Sequence, residues 1–486
     1  MITKPTYCNP IAIENIASGR FLDVFPENQK DYKDYRSISD PSVIYHNGKW
    51  ILYPSYSLAY VTEDFVHWKH VDIGVPHTGY SPAIVQFREK WYLCGHNMPE
   101  VYCADDPLGP FTLCGQLTDM DGNLMRVADG CYLADGDHLY FYWFDIRPAE
   151  ANEDAECFTG TVGAELDPDQ PWKLISRPVR INEFDPDTVW HHHGEHNQNS
   201  RLGYIEGQWM TKIGSRYYLL YSGSGTQYSS YANGICVSDK GPLSGFVPQS
   251  HHDPLTEKRS GLLRGAGHGS IVNGPGNTLW IFYTYVFSLN HPYERRIGMD
   301  PLGIDQNGEL YCPQTTEVPQ FAPGVLAHPE SGNDAGLLPL TFMQWPTASS
   351  AVSGHEALYA VDDSIRTYWQ PERKDPEKCI TIPLGRNTGY NIESLRIIWR
   401  DIGMETLDGI LPGPFRYIVE YASSPNGNWD LLIDASDNQT DLCIDYRQFP
   451  VVKAYSVRLR ICGAPEGIEP GLVSFTVFGK SASELL

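Results

Sequence analysis

A strand–turn–strand pattern recurs five times between residues 42 and 285 of this chain of 486 residues. In each copy, apolar and aromatic residues alternate on both sides of a short polar turn, which is the signature of a β-hairpin. The turns read HNGK, REK, DGDH, KIGSR and NGPGN, and the copies begin at Ser42, Ala83, Gly130, Gly207 and Gly269. One hairpin repeated with loops of unequal length is typical of propeller blades. The sequence therefore predicts an all-β fold that contains a five-bladed β-propeller.

The residues that lead into the five hairpins are Asp40, Ser81, Asp129, Glu206 and His268. Because the innermost strand of every blade lines the propeller axis, we expect these side chains to occupy equivalent places around one pocket. Glycosidic bond cleavage requires a protonated carboxyl group at the leaving oxygen and a carboxylate that activates water. A third negative charge nearby keeps the acid protonated. Three carboxylates at these places therefore predict glycoside hydrolysis.

Residues 36–310 resemble glycoside hydrolase family 43, whose members are inverting enzymes built on a five-bladed propeller. The resemblance is carried by SDPSVIYHNGKWILY, VADGCYLADGDHLYFYW, IEGQWMTKIGSRYYLLYSG, GAGHGSIV and ERRIGMDPLGIDQNGEL. It implies that Asp40 is the general base and Glu206 the general acid. It also implies that Asp129 orients the acid and tunes its pKa.

The same resemblance implies substrate-binding positions around the three carboxylates. His268 matches an axial histidine that helps some members to hold a central calcium ion through water. Arg295 matches a sugar-contacting arginine, with Arg296 as the alternative register. Tyr80 and Ser81 stand where the family has an aromatic residue followed by a small apolar one, which predicts a changed pocket shape with the catalytic set intact. The chemistry itself requires no cofactor, so any calcium ion would be structural.

Several of these candidates have a simpler interpretation. Asp40 and Asp129 precede a proline and a glycine and could cap turns. His268 could be a hydrogen-bonded core residue. Glu195 could replace Glu206 as the acid, although no hairpin follows it directly.

A run of histidines precedes Glu206, at His191, His192, His193 and His196. Neighbouring histidines on a polar loop cannot all face one ion, and Gly194 argues against the helix that a His-x-x-Glu-His metal site requires. We interpret the run as a substrate-contacting loop at the pocket rim and assign no metal to it.

The chain has 60 acidic and 36 basic residues and a formal net charge of −24. This balance disfavours nucleic acid and anionic membranes as partners and favours an uncharged oligosaccharide. The N-terminal residues lack the pattern of a secretory signal. The 11 cysteines include no close metal-binding or redox pair, as is usual in a reducing compartment. We expect a cytoplasmic protein, and the sequence indicates no oligomeric state.

A second domain follows the propeller. We predict a propeller at 1–325, a Pro/Gly-rich linker at 326–345 and a β-sandwich at 346–486, because short alternating strands such as CITIPL and FRYIVEYAS fill the last region. Residues 346–480 resemble the coagulation factor 5/8 type C, or discoidin-like, family of jelly rolls, through strings such as AVDDSIRTYWQP and YIVEYASSPNGNWDLLID. The resemblance implies a carbohydrate-binding module with a structural calcium ion near AVDDSIRTYW. A module that only packs on the propeller is the alternative.

The resemblance to glycoside hydrolase family 43 implies an inverting hydrolase that releases a terminal pentose, as an α-L-arabinofuranosidase or a β-D-xylosidase, and we expect it to be exo-acting. The long connections at 145–205 and 225–265 have room to wall off one end of the axial groove. A galactosidase or galactofuranosidase of the same fold is the alternative activity. A non-catalytic sugar-binding propeller is the alternative class of protein.

Overall fold

The computed structural model describes residues 4–14, 37–75, 78–151, 153, 155–287, 293–385, 388–401, 413–425 and 427–481. Strands dominate these ranges, and the helical elements are single 3-10 turns at Val189–His191, Glu195–Asn197, Pro275–Asn277, Pro329–Ser331 and Ala357–Ala360. None of the described helices is long and apolar enough to cross a membrane. The predicted all-β class is confirmed.

Five antiparallel four-stranded sheets form the blades of a propeller within the described residues. In chain order, the strands of blade 1 are Ser42–His46, Lys49–Tyr53, Tyr60–Thr62 and Lys69–His70; those of blade 2 are Ala83–Phe87, Lys90–Cys94, Glu100–Ala104 and Thr112–Gln116; those of blade 3 are Ala128–Asp135, His138–Pro148, Cys157–Leu166 and Val179–Glu183. Those of blade 4 are Glu206–Ile213, Arg216–Gly223, Ala232–Ser238 and Val247–Pro248; those of blade 5 are Arg264–Asn273, Leu279–Val286, Arg295–Ile304 and Leu310–Tyr311. The first strands of blades 2, 3, 4, 5 and 1 contact one another in that order, so they line the axis.

Blade 1 shows how the repeat produces a blade. Its hairpin turns at Asn47 and Gly48, whose φ angles of 49° and 82° suit the tight turns that follow the twist of a hairpin. Side chains alternate between the two faces of a strand. Trp50 and Leu52 therefore pack towards blade 5, whereas Ile51 packs towards blade 2. Each blade is buried on both faces by its neighbours.

The same backbone conformation precedes the uninterrupted part of the first ladder in every blade. Pairing without further register shifts runs from Ser42, Ala83, Cys131, Trp209 and Ser270, and in blades 3, 4 and 5 it follows a shift after Ala128, Glu206 and Gly267. Two positions earlier, each blade has a residue with positive φ; these residues are Asp40, Ser81, Asp129, Gly207 and His268. The predicted equivalence is thus correct for four blades and wrong for Glu206, which stands one residue before the equivalent position, Gly207.

A β-sandwich follows the propeller. One sheet contains Leu338–Pro339, Leu472–Ser481, Tyr390–Trp399 and Ile444–Ala454, and the other contains Thr347–Ala348, Cys379–Pro383, Ser456–Gly463, Arg416–Ala422 and Trp429–Ala435. Trp369, Trp399 and Phe475 lie in the apolar core between the sheets. Leu338–Pro339 pairs with the last strand, so sandwich pairing begins inside the segment assigned to the linker.

The sandwich packs directly on the propeller. Its residues Ile398 and Ile444 belong to one apolar cluster with Tyr283 of blade 5. Arg396 of the sandwich donates hydrogen bonds to the carbonyl oxygens of Asn9, at 2.7 Å, and Glu317, at 2.8 Å. A two-stranded sheet of Thr6–Tyr7 and Gln320–Phe321 ties the start of the chain to the end of the propeller.

Candidate active site

A cavity of about 470 Å³ opens at the propeller axis. It is lined by Asp40, Tyr80, His96, Ala128, Asp129, Phe144, Tyr204, Glu206, Thr226, His268, Tyr293 and Arg295. The three predicted carboxylates thus meet in one cavity with Tyr80, His268 and Arg295. Ser81 lies behind His268, bonded to its ring, and is absent from the described lining.

Asp40 lies at the most positive side of the cavity. Arg295 donates two hydrogen bonds to its two carboxylate oxygens, at 2.6 and 2.9 Å. Ser55 and Ser39 donate to Oδ2 at 2.7 and 3.0 Å, and His268 Nδ1 is 3.4 Å from Oδ1. Burial alone would raise the pKa of Asp40, but Arg295, His268 and Ser55 together hold that pKa below its usual value. Asp40 is therefore an anion at neutral pH.

Asp129 is also held as an anion, by different partners. His96 Nδ1 lies 3.2 Å from its Oδ1, and the backbone N–H of Gly207 donates to Oδ2 at 3.2 Å. Burial opposes ionisation, but His96, the nearby His268 and the Gly207 N–H hold the pKa of Asp129 well below its usual range.

Glu206 has the opposite character. Burial and then the charge of Asp129 raise its pKa to about 8, and Asp40 adds to the effect. Tyr231, which donates to Oε1 at 3.1 Å, and the charge of Arg295 oppose the rise without cancelling it. Glu206 is therefore a carboxylic acid at neutral pH, with a proton available to the cavity.

Gly207 explains why Glu206 lies one residue before the position that is equivalent in the other blades. A Cβ atom at position 207 would lie 2.9 Å from the ring of His268 and 3.0 Å from Ser222 Oγ. The φ of 62° also suits glycine. Without a side chain there, the Gly207 N–H reaches Asp129, and the preceding residue, Glu206, faces the cavity instead.

His268 is fixed through both ring nitrogens. Nε2 lies 2.9 Å from Ser81 Oγ, and Nδ1 lies beside Asp40. The water-mediated calcium site expected at this histidine stays a prediction.

The calcium ion expected in the sandwich near AVDDSIRTYW stays a prediction. Asp362 Oδ1 accepts from the backbone N–H of Ser364, and Oδ2 accepts from the hydroxyl of Thr367. Asp363 lines a separate small cavity with Glu317 at the junction with the propeller. The two aspartates therefore serve a turn and the domain junction.

Arg295 and Arg296 face opposite sides of Arg295–Ile304, the third strand of blade 5. Arg295 lines the cavity and lies over the ring of Tyr80, 5.6 Å from its centroid. Arg296 faces the sandwich, where its Nη2 is 3.8 Å from Asp401. The register with Arg295 at the cavity is the one found.

The histidine run and Glu195 lie outside the cavity lining of the described residues. His191 Nε2 is 3.2 Å from the hydroxyl of Tyr221, and His192 Nε2 is 2.8 Å from the Pro186 carbonyl oxygen. Glu195 accepts hydrogen bonds from the backbone and hydroxyl of Ser229. The side chains of His191 and His192 thus do not support the expected substrate-contacting role, whereas the ring of His193 packs against Tyr204, which lines the cavity, with 5.2 Å between the ring centroids.

The hairpin repeat does not mark several of the residues that line the cavity. His96 follows the second strand of blade 2, and Phe144 lies within the second strand of blade 3. Tyr204 and Thr226 belong to the long connections that were expected to wall the cavity. Much of residues 145–205 is nevertheless blade 3, whose strands continue to Glu183.

Three solved structures resemble this chain at low sequence identity. No curated protein sequence gives a significant match. A thermostable family-43 glycoside hydrolase is 20% identical over 65% of this chain and 99% of its own, with a TM-score of 0.51. An α-L-arabinofuranosidase from Lactobacillus brevis is 16% identical over 64% and 97%, with a TM-score of 0.45. The BlXynB protein of Bacillus licheniformis is 12% identical over 98% and 100%, with a TM-score of 0.46.

The first of these likenesses supports the propeller fold alone, because its identity is low. The model of the glycosyl hydrolases family 43 matches residues 27–310, which is more than half of the chain. The matched range contains the five blades, apart from Tyr311 at the end of the last strand, and every carboxylate of the cavity. The chain therefore belongs to glycosyl hydrolases family 43.

Proposed function

We propose that the protein is an inverting, exo-acting glycoside hydrolase in which Glu206 is the general acid and Asp40 the general base. The observation that carries the proposal is the difference in protonation at one cavity. The pKa of Asp40 is held below its usual value, whereas that of Glu206 is raised to about 8. A base and an acid are thereby available together at neutral pH.

In the proposed reaction, the terminal sugar lies between the two carboxyl groups. Glu206 donates its proton to the glycosidic oxygen as that oxygen leaves the anomeric carbon. A water molecule attacks the opposite face of the sugar and gives its proton to Asp40, so the product is inverted. Exchange with solvent then reprotonates Glu206 and deprotonates Asp40.

Asp129 has an indirect role in this proposal. Its negative charge raises the pKa of Glu206, and its carboxylate is itself fixed by His96 and Gly207. Asp129 therefore keeps the acid protonated between turnovers. Arg295 and His268 have the opposite effect on Asp40, because they lower its pKa and keep it ionised. Arg295 also offers the sugar a cation, and Tyr80 offers it an aromatic face.

For the substrate, we propose a terminal pentose, released by α-L-arabinofuranosidase or β-D-xylosidase action. Tyr204, Thr226 and Tyr293 stand at the cavity wall, which favours a chain end over the middle of a polymer. A galactosidase or galactofuranosidase activity is the alternative within the same mechanism. A panel of p-nitrophenyl arabinofuranoside, xyloside, galactopyranoside and galactofuranoside distinguishes these sugars, and turnover of none of them would favour a sugar-binding protein.

For the C-terminal sandwich, we propose a discoidin-like domain whose main role is to pack on the propeller. The shared apolar cluster and the hydrogen bonds of Arg396 support this role over an independent carbohydrate-binding module. Removing residues 336–486 should then expose apolar surface and lower the melting temperature. A truncated enzyme with full activity and an unchanged melting temperature would contradict the proposal.

We also propose a cytoplasmic location, supported by the 11 cysteines, all of which are free thiols. Cell fractionation tests it. Recovery in the extracellular fraction would contradict it.

A further inference from the structure

Two histidines and two carboxylates meet on the outer surface, where blade 4 approaches blade 5. His251 and His252 follow the last strand of blade 4, and Asp305 and Glu309 flank the last turn of blade 5. Ligand atoms of His251, Asp305 and Glu309 all lie within 4.8 Å of one another. His252 Nε2 lies 3.7 Å from Asp305 Oδ2. None of these four residues lines the catalytic cavity.

The distances suit a shared ion better than direct ion pairs. His251 Nδ1 is 3.3 Å from Glu309 Oε2, longer than the roughly 2.7–2.9 Å of a charge-assisted hydrogen bond. Two ligands of a tetrahedral zinc ion, each about 2.0–2.1 Å from the metal, stand about 3.3 Å apart. The ligand atoms of His251, Asp305 and Glu309 lie up to 4.8 Å apart, so they need to close by up to about 1.5 Å to reach this spacing.

Both carboxylates are fixed as anions before any ion binds. Glu309 accepts from the backbone N–H groups of Ser250 and His251, at 2.9 and 2.8 Å. Asp305 Oδ1 accepts from the N–H groups of Asn307 and Glu309, at 2.8 and 2.9 Å. The carboxylates are thus oriented by the backbone, while the histidine side chains remain partly exposed.

We propose that His251, His252, Asp305 and Glu309 bind a divalent transition-metal ion of the zinc class, which links the outer edges of blades 4 and 5. Imidazole and carboxylate together suit zinc or cobalt better than magnesium or calcium, which prefer oxygen ligands. The ion is distant from the catalytic carboxylates and has a structural role.

The full chain, first treated with a chelator, is titrated with Co²⁺ and Zn²⁺. We expect one equivalent of Co²⁺ to give the visible absorption of a four-coordinate site, and Zn²⁺ to displace it and raise the melting temperature. His251→Ala and Glu309→Gln should each weaken binding by at least about tenfold. Asp239→Asn, which breaks the exposed ion pair with Arg216 on the same seam, is the matched control and should bind as the wild type does. No uptake, or uptake that both ligand variants retain, would overturn the proposal.

A separate observation concerns the contact between the sandwich and the active-site arginine. Arg296 is buried and lies beside Asp401 and Cys443 of the sandwich, at 3.8 and 3.7 Å, and beside Glu294 at 3.1 Å. It also lies over the ring of Phe287, 4.6 Å from its centroid. Its chain neighbour is the arginine that holds Asp40.

We infer that Asp401 and Arg296 are positioning residues, through which the docked sandwich fixes the strand that presents Arg295 to Asp40. The backbone carries the effect, because the Arg295 carbonyl oxygen accepts from Arg296 Nη1 at 2.9 Å and from the N–H of Ile38 at 3.1 Å. A shift at position 296 therefore moves both the arginine and the segment that leads to Asp40. This inference rests on the proposed function of Asp40.

The test is the pH dependence of kcat/KM for Asp401→Asn and Arg296→Met in the full chain. Weaker contact between Arg295 and Asp40 raises the pKa of Asp40, so the acidic limb should move to higher pH, by on the order of one unit. Arg396→Met, which loosens the domain contact elsewhere, should lower the melting temperature and leave that limb in place. An unmoved limb in Asp401→Asn would overturn the inference. If Asp40 is not the base, Asp40→Asn remains active, and this result separates failure of the proposed function from failure of the inference.

Discussion

Asp40 and Glu206 are carboxylic acids at the same cavity, yet their surroundings hold them in opposite protonation states. Asp40 accepts two hydrogen bonds from Arg295 and one each from Ser39 and Ser55. Glu206 accepts one, from Tyr231, and lies near the charge of Asp129. The comparison teaches that the partners of a carboxyl group, more than its residue type, decide whether it can serve as base or acid.

Asp300 shows that a raised pKa alone does not indicate an acid catalyst. Burial raises its pKa to about 6. Its oxygens accept from the hydroxyls of Tyr7, Tyr283 and Thr316, at 3.1, 2.5 and 2.7 Å, and from the Thr316 N–H at 3.1 Å. Its donors belong to the protein, and it does not line the catalytic cavity of the described residues. Glu206 differs because it faces space that a substrate can fill.

The largest effect is expected at the base. Asp40→Asn removes the only proton acceptor that we assign to the attacking water, so kcat should fall towards the upper end of the roughly 10²- to 10⁴-fold range of acid–base catalysis. Asp64→Asn, in a half-exposed turn of the same blade, is the control and should stay active. Azide should restore turnover of Asp40→Asn with an inverted glycosyl azide as product. Near-normal kcat without azide would remove Asp40 from the role of base.

The next effect, at the acid, should depend on the leaving group. Glu206→Gln should lower kcat/KM by about 10²-fold or more for an alkyl aglycone. The loss should be far smaller for a dinitrophenyl aglycone, which departs without a proton. Glu195→Gln is the matched control, because that carboxylate is bonded to Ser229 outside the cavity. An equal loss with both aglycones would show that Glu206 is not the acid.

A smaller effect is expected on the pH profile. In the wild type, the basic limb of kcat/KM should follow Glu206, whose pKa is raised to about 8. Asp129→Asn removes a negative charge near Glu206, so the Glu206 pKa should fall and the basic limb should move to lower pH by on the order of one unit. A basic limb that stays in place would separate Asp129 from the tuning of the acid.

The smallest effect on catalysis is expected at Asp300. Asp300→Ala leaves several buried donors without an acceptor, which should lower the free energy of unfolding by about 2 kcal/mol or more, while kcat of the folded enzyme is retained. The pKa of Asp300 rises from 3.8 to about 6 on folding. Its contribution to stability is therefore present below about pH 4 and is lost as pH rises to about 6. Denaturant unfolding of the wild type should give a free energy of unfolding that falls between about pH 4 and about pH 6. Asp300→Ala should lack this fall.

The hairpin repeat allowed the blades and most of the axial residues to be predicted from the sequence. The ladder of each blade places Asp40, Ser81, Asp129 and His268 by the same backbone geometry. The repeat and the family resemblance predict Glu206 at the equivalent place of blade 4, but the structure has Gly207 there, one residue later. The steric limit that makes position 207 a glycine comes from His268, a residue of the next blade, and no local pattern reveals it.

Other features depend on contacts between distant parts of the chain. His96 fixes Asp129 from blade 2, and Tyr231, just before the third strand of blade 4, donates to Glu206. The repeat marks neither of them as a site residue. Alternation along a strand places Arg295 and Arg296 on opposite faces. In the structure, Arg295 faces the cavity and Arg296 packs against the sandwich.

The central claim is that Asp40 and Glu206 act on opposite faces of the sugar with water between them. Proton NMR of the first sugar released from a substrate of known configuration tests it most directly, if spectra are recorded before mutarotation. The account predicts the anomer of inverted configuration as the initial product. An initial product that retains the configuration of the substrate would require a covalent intermediate and would contradict the roles given to both carboxyl groups.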